Sequence, residues 1–539
     1  MDEMNLASDM LDSVLSEYIE EAQAQQINMD PQNDTDIVES ETEDYYTRTQ
    51  EYYKQMSMLD VFYAIYFTIH SSYICSIEYL KYKIGWKSKT NAIIDVSKRL
   101  SNINMLYVKI FQAFATNKNI ISPELNKFFS DYTDNVEYTD DEYNYEDLIE
   151  IENNAVGCYP YKPIKILHNY KPIKSGLMSL IFKGVFMNAD GTSSNKHIAV
   201  KYLRNNIINN FNTSMNNLVI FAKLTRYIPY IRTLNIETLI LQNIVSLKDQ
   251  VYFRKEVSNI QRYYSIWKDC DYVIIPEPYA EFTEKLNPNI IIMEFINGIS
   301  ITDIDPKDHD RFGKILASFS GKAAFCNSIY HGDLHPGNIL FIKESETASE
   351  TASESSSESS SESQFATKSE QAEESTTFTY KIGILDFGII GRLSRKDQDL
   401  LYKSTKLLYQ KKYNRVIHMI LSEMSEDINP PRDTSLKEIP SVQLPEDVFH
   451  KIKRELHNVI VEYSTPEIKF LGVNELYTIN YILNSYNLTF KRSLYRLFIT
   501  IAIMDSIATK LGSEMSYMQH MTDVVVDLFG IDTGDFVDD

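Results

Sequence analysis

The sequence predicts an α+β fold of two lobes, in which a helical extension precedes a strand-rich lobe and a mostly helical lobe follows it. An apolar strand with a single lysine, HIAVKYL, lies at residues 197–203. Two short polar motifs follow, HGDLHPGN at 331–338 and DFG at 386–388, and an apolar segment precedes each of them. Residues 494–504 are apolar nearly all round, which is typical of a core helix. Polar motifs at the ends of packed segments indicate a cleft that is built on a rigid scaffold.

The two polar motifs predict phosphoryl-transfer chemistry. The first contains the pattern H-x-D-x-x-x-x-N, and the second supplies a further carboxylate. Kinase-like folds use this arrangement to place one carboxylate beside an acceptor hydroxyl and two oxygen ligands on Mg²⁺. We therefore predict a protein-kinase-like fold in which Asp333 is the catalytic carboxylate and Asn338 and Asp386 bind Mg²⁺.

The segment between the two motifs is long for such a fold. Asn338 and Asp386 are 48 positions apart, whereas a kinase-like fold joins them by a tight β-hairpin. Much of the excess is a Ser/Glu tract, TASETASESSSESSSES, which has almost no apolar area to bury. Because the entropy of loop closure grows only logarithmically with length, a hairpin tolerates a long loop. We predict a disordered surface insertion at 344–379 between strands at 339–342 and 380–385.

Three further parts of a nucleotide site are expected upstream of the catalytic loop. Lys201 lies on the apolar strand and would hold the α- and β-phosphates of ATP. Glu256 lies in a helical pattern and would orient Lys201. The sequence NIIIMEFING at 289–298 predicts a buried strand that runs into a connector between the lobes. The residues of this connector that we expect to hold adenine are Met293, Glu294 and Phe295.

Three segments extend the pattern beyond these parts. They are KIFQ at 109–112, FRKEVSN at 253–259 and DFGIIGRL at 386–393. They resemble the K-x-G-Q, F-R-x-E-A-x-N and D-F-G-M-V-G-R-L motifs of the ABC1 (ADCK/UbiB) atypical kinase-like family, and the resemblance covers most of the chain from Tyr107. It implies a kinase or ATPase that uses ATP and Mg²⁺, with a protein, a small molecule or a lipid as the acceptor.

The sequence departs from the family pattern in three places. Phe111 stands where K-x-G-Q has glycine, and Gln250-Val251-Tyr252 lacks both carboxylates of the family's E-x-D motif. KSGLMSL at 174–180 replaces an alanine-rich nucleotide loop. The predicted nucleotide contacts of this loop are Lys174, Ser175 and Gly176. Since the resemblance implies that these elements tune regulation and nucleotide preference, the substrate class stays open.

Two other functions remain compatible with the motifs. HGDLHPGN fits a small-molecule phosphotransferase of the aminoglycoside or choline kinase type as well as it fits ABC1. A catalytically dead pseudokinase scaffold, which binds nucleotide or lipid and signals by conformation, is the other alternative.

Single residues also have plainer interpretations. Lys201 could extend from an apolar strand to the surface, and Glu256 could belong to a solvated helix face. His331 and His335 flank Asp333 in a pattern that could bind a transition metal.

The composition predicts an intracellular protein. The four cysteines are far apart and form no C-x-x-C pair, so neither a disulfide framework nor a zinc ribbon is indicated. A net charge of −22 disfavours nucleic acid as a partner, because phosphate binding needs basic patches. The acidic N-terminus has neither the basic region of a signal peptide nor the Arg/Ser character of a transit peptide.

One segment raises the question of a membrane. Residues 61–77 are uncharged but contain His70 and several serines, and a spanning helix needs about 20 predominantly apolar residues. A buried or interfacial helix is predicted, which leaves peripheral membrane or lipid contact open.

The predicted organisation has four parts. An acidic, disordered N-terminus at 1–50 contains an amphipathic stretch at 10–21. A helical extension with an acidic connector follows at 51–154. The small lobe covers 155–295 and the large lobe 296–539.

Overall fold

The computed structural model describes most of the two lobes and part of the extension. The described residues are 58–108, 122, 124–125, 128–129, 136–155, 163–188, 190–225, 250–346, 377–427, 444–463, 473–511 and 517–529. The predicted N-terminal disorder at 1–50, the KIFQ segment at 109–112 and the centre of the Ser/Glu insertion lie outside these residues.

The extension begins with two helices that pack on each other, α1 (Met58–Lys83) and α2 (Lys89–Ile103). The side chain of Ser88 caps α2 by accepting a hydrogen bond from the backbone N–H of Asn91 at 3.1 Å. Ile74 of α1 shares a small apolar cluster with α2. Across the residues that the structure describes, no helix combines the length and the apolar character needed to cross a membrane.

A buried carboxylate joins the two helices. The side chain of Glu78 on α1 is 2% exposed and accepts hydrogen bonds from Lys81 at 2.6 Å, Lys87 at 2.8 Å and Arg99 at 3.1 Å. The hydrogen bonds from Lys81 and then Lys87 lower the pKa of Glu78 to about 2. Glu78 is therefore ionised at neutral pH and holds cations from both helices and from the loop between them.

The small lobe is an antiparallel sheet, in the order β1-β3-β4-β6 with β2 paired to β3. Its strands are β1 (Ile164–Ile166), β2 (Lys174–Ser175), β3 (Ser179–Met187), β4 (Ser193–Leu203) and β6 (Ile290–Glu294). The centre of the sheet is β4, where Lys201 is paired with Ile181 on one side and Ile291 on the other.

Both faces of the second half of β4, residues 198–203, are buried, which explains why the sequence of that half is almost continuously apolar. Because side chains alternate along a strand, Ile198, Val200 and Tyr202 pack in an outer cluster. Ala199 and Leu203 pack in the main core. Lys201 has the parity of Ala199 and Leu203, so the strand directs it towards the interior between the lobes.

Helices cover both faces of the small-lobe sheet. On the outer face lies α3 (Tyr145–Asn154), which buries Leu148 and Ile151. The acidic connector expected before the small lobe is therefore a helix in its second half. The spacing of three residues between Leu148 and Ile151 suits a helix face, although acidic residues dominate the segment. On the inner side lie α4 (Ile207–Thr225) and α5 (Phe253–Trp267). The small lobe is thus strand-rich around the helix of Glu256, as predicted.

The large lobe is mostly helical, also as predicted, and three small sheets accompany the helices among its described residues. Its helices are α6 (His309–Phe325), α7 (Arg395–Tyr409), α8 (Tyr413–Met419), α9 (Glu446–Tyr463), α10 (Val473–Ser485), α11 (Arg492–Lys510) and α12 (Tyr517–Phe529). The small sheets consist of β5 (Val273–Ile274) with β8 (Ile339–Glu346) and β9 (Thr377–Ile384), β7 (Ile329–His331) with β10 (Ile390–Arg392), and β11 (Ser425–Asp427) with β12 (Leu488–Phe490).

The hairpin of β8 and β9 connects the two polar motifs and is longer than predicted. Its register pairs Ile339 with Ile384 at one end and Glu346 with Thr377 at the other. The boundaries 344–379 of the insertion were therefore wrong by three residues on each side. Main-chain pairing continues past the last apolar residues, because the ladder needs backbone groups rather than apolar side chains.

The titration of Glu78 gives a first testable prediction. A carboxyl whose pKa is lowered by folding contributes stability that is complete above its unfolded pKa and is lost as the pH falls. The stability advantage of the wild type over Glu78→Gln, roughly 1–3 kcal/mol at neutral pH, should therefore shrink between about pH 4.5 and pH 2. Urea unfolding at a series of pH values measures this difference in the free energy of unfolding. The exposed Glu150→Gln is the control, and an advantage of Glu78 that is independent of pH would contradict the assignment.

The hairpin gives a second prediction. Replacing residues 347–376 by Asn-Gly, a pair suited to a two-residue hairpin turn, should raise the free energy of unfolding by about 2 kcal/mol, since a closed loop of 30 residues becomes one of two. Chemical denaturation measures the change. A Gly/Ser linker of the original length is the matched control and should leave stability unchanged. A loss of stability in both variants would show that the insertion makes stabilising contacts.

Candidate active site

An ion triad, with a buried lysine and glutamate and a partly exposed aspartate, lies between the lobes. Lys201 Nζ is 2.5 Å from Glu256 Oε1 and 3.0 Å from Asp386 Oδ2. The lysine comes from β4, the glutamate from α5 and the aspartate from the segment after β9. Glu256 occupies the buried face of α5 together with Val257 and Ile260, at helical spacing. Three segments far apart in sequence thus converge on one ammonium group.

Burial and charge act in opposite directions on this triad. Burial disfavours the charged form of Lys201, but the negative charges of Asp386 and Glu256 outweigh it, so the pKa of Lys201 is raised. Burial raises the pKa of Glu256 more than the lysine lowers it. The second oxygen of Glu256 has no hydrogen-bond partner among the described residues. Lys201 therefore keeps its charge, and the Asp386 side chain, 40% exposed, is the member of the triad that faces the cleft.

These contacts exclude the plainer interpretations of two residues. The side chain of Lys201 is 7% exposed and that of Glu256 is 2% exposed. Lys201 does not extend to the surface, and Glu256 does not lie on a solvated face.

The imidazole of His331 joins the catalytic loop to the DFG segment. Its Nε2 contacts the backbone carbonyl of Asp386, and its Nδ1 accepts a hydrogen bond from the backbone N–H of Asp333 at 3.2 Å. Burial lowers the pKa of His331. A neutral ring protonated on Nε2 satisfies both contacts at once. The position of His331 is therefore the one expected for a structural residue of the catalytic loop.

Asn338 and Asp333 are held by the turn between them. Asn338 donates its side-chain N–H to the backbone carbonyl of Asp333 at 2.9 Å, which leaves the amide oxygen as its remaining ligand atom. The carbonyl of Asn338 accepts the N–H of Leu385 at 3.0 Å, so the loop is fastened to the residue before Asp386. The side chain of Gln250 donates to Asp333 Oδ2 at 3.3 Å. These contacts link the loop of Asp333 and Asn338 to the segment of Asp386.

Sequence reasoning assigned no role to Asn259, which holds the DFG segment. Its side-chain N–H donates to the backbone carbonyl of Phe387 at 2.9 Å. Asn259 lies three residues after Glu256, hence on the same face of α5, and this spacing within FRKEVSN was the available signal. The ring of Phe387 lies 5.2 Å from that of Tyr263 and 5.6 Å from that of His331. The DFG segment is thus fixed by the same helix that supplies Glu256.

The nucleotide-loop candidates already have protein partners. Lys174 Nζ donates to the carbonyl of Gly337 at 2.8 Å, across the cleft. The buried hydroxyl of Ser175 donates to the carbonyl of Val136 at 2.5 Å and accepts from Arg204 at 2.6 Å.

The backbone N–H of Gly176 donates to the carbonyl of Ser179 at 2.9 Å and closes the turn between β2 and β3. Gly176 therefore belongs to a tight hairpin. Nucleotide contacts by the three loop residues remain a prediction.

The predicted connector follows β6. Met293 is paired with Ala199 and is buried in the main core, one residue before the strand ends. The N–H of Glu294 donates to Glu277, and that of Phe295 donates to His197. The Phe295 ring is half-buried, with Lys183 Nζ 4.2 Å from its centroid. Adenine binding at this connector also stays a prediction.

A sequence profile of the ABC1 atypical kinase-like domain matches residues 144–420, just over half of the chain. The chain belongs to the ABC1 atypical kinase-like family. The matched region includes β4, α5, the catalytic loop and the DFG segment. The predicted two-lobed kinase-like fold is confirmed.

Curated relatives carry the name "Probable protein kinase UbiB". The protein from Glaesserella parasuis is 25% identical over 382 residues, which cover 69% of this chain and 59% of the relative. That from Pasteurella multocida is 24% identical over 319 residues, covering 55% and 53%. The chain spans little more than half the length of these relatives.

Two solved structures align at low similarity. The Rv3197–erythromycin complex from Mycobacterium tuberculosis has a TM-score of 0.40 and 13% identity, with 81% of this chain and 98% of that chain covered. The Rio2 kinase–ADP/Mg²⁺–phosphoaspartate complex from Chaetomium thermophilum has a TM-score of 0.25 and 12% identity, with 70% and 94% covered.

The contact of Asn259 gives a third prediction. Asn259→Leu removes the donor to the buried carbonyl of Phe387, so we expect a loss of about 1–3 kcal/mol in the free energy of unfolding. Denaturant unfolding measures it. The matched control is Gln261→Leu, the same change of amide to leucine at an exposed position of α5. Equal stability of the two variants would mean that the DFG segment does not depend on Asn259.

Proposed function

We propose that the protein binds ATP with Mg²⁺ and transfers or hydrolyses the γ-phosphoryl group, as a kinase or ATPase of the ABC1 type. The observation that carries the proposal is the ion triad of Lys201, Glu256 and Asp386 beside the loop of Asp333 and Asn338. The acceptor is a protein, a small molecule or a lipid, and contact with a membrane surface stays open.

The donor set fits Mg²⁺. Asp386 offers a carboxylate that is 40% exposed, and Asn338 offers an amide oxygen oriented by its bond to Asp333. Hard oxygen ligands are those that Mg²⁺ prefers, usually one or two from the protein with water and phosphate completing the shell. When bound, Mg²⁺ neutralises the charge that develops on the phosphoryl oxygens.

The chain's own residues would act mainly by positioning and charge. Lys201, held by Glu256, would hold the α- and β-phosphates. Asp333 would orient the acceptor hydroxyl and take its proton as the bond from that oxygen to the γ-phosphorus forms and the bond to the β-phosphate oxygen breaks. Fixed charges in a site shielded from water supply much of such catalysis, because they need no rearrangement during the reaction.

The hydrogen bond from Gln250 to Asp333 restricts how an acceptor hydroxyl could approach the carboxylate. The amide of Gln250 already donates to Asp333 Oδ2, so an incoming hydroxyl would have to share or replace that contact.

The test uses Asp386→Asn in a thermal-shift titration with ATP, with and without Mg²⁺. A ligand at a hundredfold excess over its dissociation constant should stabilise the wild type by about 2.7 kcal/mol. The Mg²⁺-dependent part should vanish in the variant, and ATP turnover should fall by roughly two to three orders of magnitude. The exposed Asp269→Asn is the control and should behave as the wild type.

The outcomes separate the alternatives. Full turnover in Asp386→Asn would refute the site assignment. Nucleotide binding without turnover under any condition would favour the scaffold. Phosphate transfer to amino alcohols or aminoglycosides would favour the small-molecule phosphotransferase.

A further inference from the structure

The helix α1 exposes an apolar stripe, here called the outward face, which is interrupted once by the exposed Ser76. The stripe consists of Phe62, Tyr66, Ile69, Tyr73 and Leu80. These residues recur at spacings that place them on one side of a helix, and each is between 57% and 69% exposed. Trp86, in the loop after α1, is 77% exposed.

The opposite side of α1 is already occupied. Ala64, Phe67, Ile74 and Glu78 are at most 2% exposed and face the rest of the protein. A helix that is apolar on both sides is typical of a buried helix, and exposed contiguous apolar patches mark interaction surfaces. The outward face is therefore suited to a second packing partner.

The chain itself contains a segment that matches this face. Residues 10–21 read MLDSVLSEYIEE. On a helix, six apolar side chains fall on one half of the surface, and every acidic and serine side chain except Glu21 falls on the other half. The apolar ones are Met10, Leu11, Val14, Leu15, Tyr18 and Ile19.

Charge favours the same pairing. Residues 1–57 contain 15 acidic and two basic residues. The C-terminal end of α1 carries Lys83 and α2 begins with Lys89, and both are exposed, whereas Lys81 and Lys87 nearby are already paired with Glu78. Acidic side chains at the edge of a docked segment would lie within a Debye length, about 10 Å, of these lysines.

The geometry permits the contact within one chain. The outward face is about 27 Å long and a helix of 12 residues about 18 Å. The 36 residues between this segment and α1 have a root-mean-square span of about 33 Å. Such a tether gives an effective concentration on the order of 1 mM.

We propose that residues 10–21 pack as an amphipathic helix on the outward face of α1, with their acidic side chains near the lysines at its end. The occupant is a segment of the same chain. The contact does not involve the ATP site, so it stands apart from the proposed function.

Hydroxyl-radical footprinting of the full chain tests the proposal. Val14→Asp/Leu15→Asp places two charges on the apolar half of the segment. If the segment binds with a dissociation constant of roughly 0.1 mM, the tether keeps the face covered about nine-tenths of the time, so labelling of Tyr66 and Tyr73 should rise about tenfold in the variant. Ser13→Asp/Ser16→Asp adds the same two charges to the polar half and should leave labelling low.

Two side chains calibrate the experiment. Phe67, 2% exposed, should stay unlabelled, and Tyr481, 75% exposed, should be labelled in every variant. Equal labelling of Tyr66 in the two variants would overturn the proposal. Protection that follows a concentration-dependent dimer mass, or that arises only with anionic phospholipid vesicles, would also overturn it, in favour of a second copy or a membrane surface.

Discussion

The ion triad of Lys201, Glu256 and Asp386 determines where three elements of the protein can lie. One ammonium group is shared by a strand of the small lobe, the helix packed on that strand and the segment that follows the large-lobe hairpin. Removing one partner of a buried ion pair leaves an uncompensated charge and is strongly destabilising. The triad consists of one cation and two carboxyl groups, and one buried oxygen of Glu256 has no hydrogen-bond partner among the described residues. Asp386, with a side chain 40% exposed, is the member of the triad that is open to the cleft.

The remaining contacts keep the triad in register. His331 bridges the catalytic loop and the DFG segment with one neutral ring, and Asn259 fixes the carbonyl of Phe387 from α5. Lys174 connects the loop at 174–180 to the catalytic loop, and Arg204 connects the same loop to the segment before the small lobe. The site is thus positioned mainly by backbone groups and buried side chains, and Lys174 is an exposed side chain that also contributes.

Much of the fold and the relative positions of the site residues could be predicted from the sequence, because motif order and strand parity constrain each other. Because side chains alternate along a strand, Lys201 is expected on the same face as Ala199 and Leu203, which pack in the main core. Other features depend on tertiary context. Asn259 is one polar residue among several on a helix, and only the position of Phe387 gives it a function. The exposure of the outward face could not be predicted, since a helix that is apolar all round has the same sequence pattern whether protein packs on one of its sides or on both.

The hairpin of β8 and β9 has a consequence for how this sequence can evolve. Asn338 and Asp386 flank its open end, where Ile339 is paired with Ile384, while the Ser/Glu insertion joins its closed end. Eight paired positions separate the two ends. Residues can be gained or lost at the tip without altering the separation of the two oxygen ligands. The paired strands thus keep the positions of the two ligands independent of the length of the loop at the tip. The tip is therefore a suitable position for a fused reporter domain.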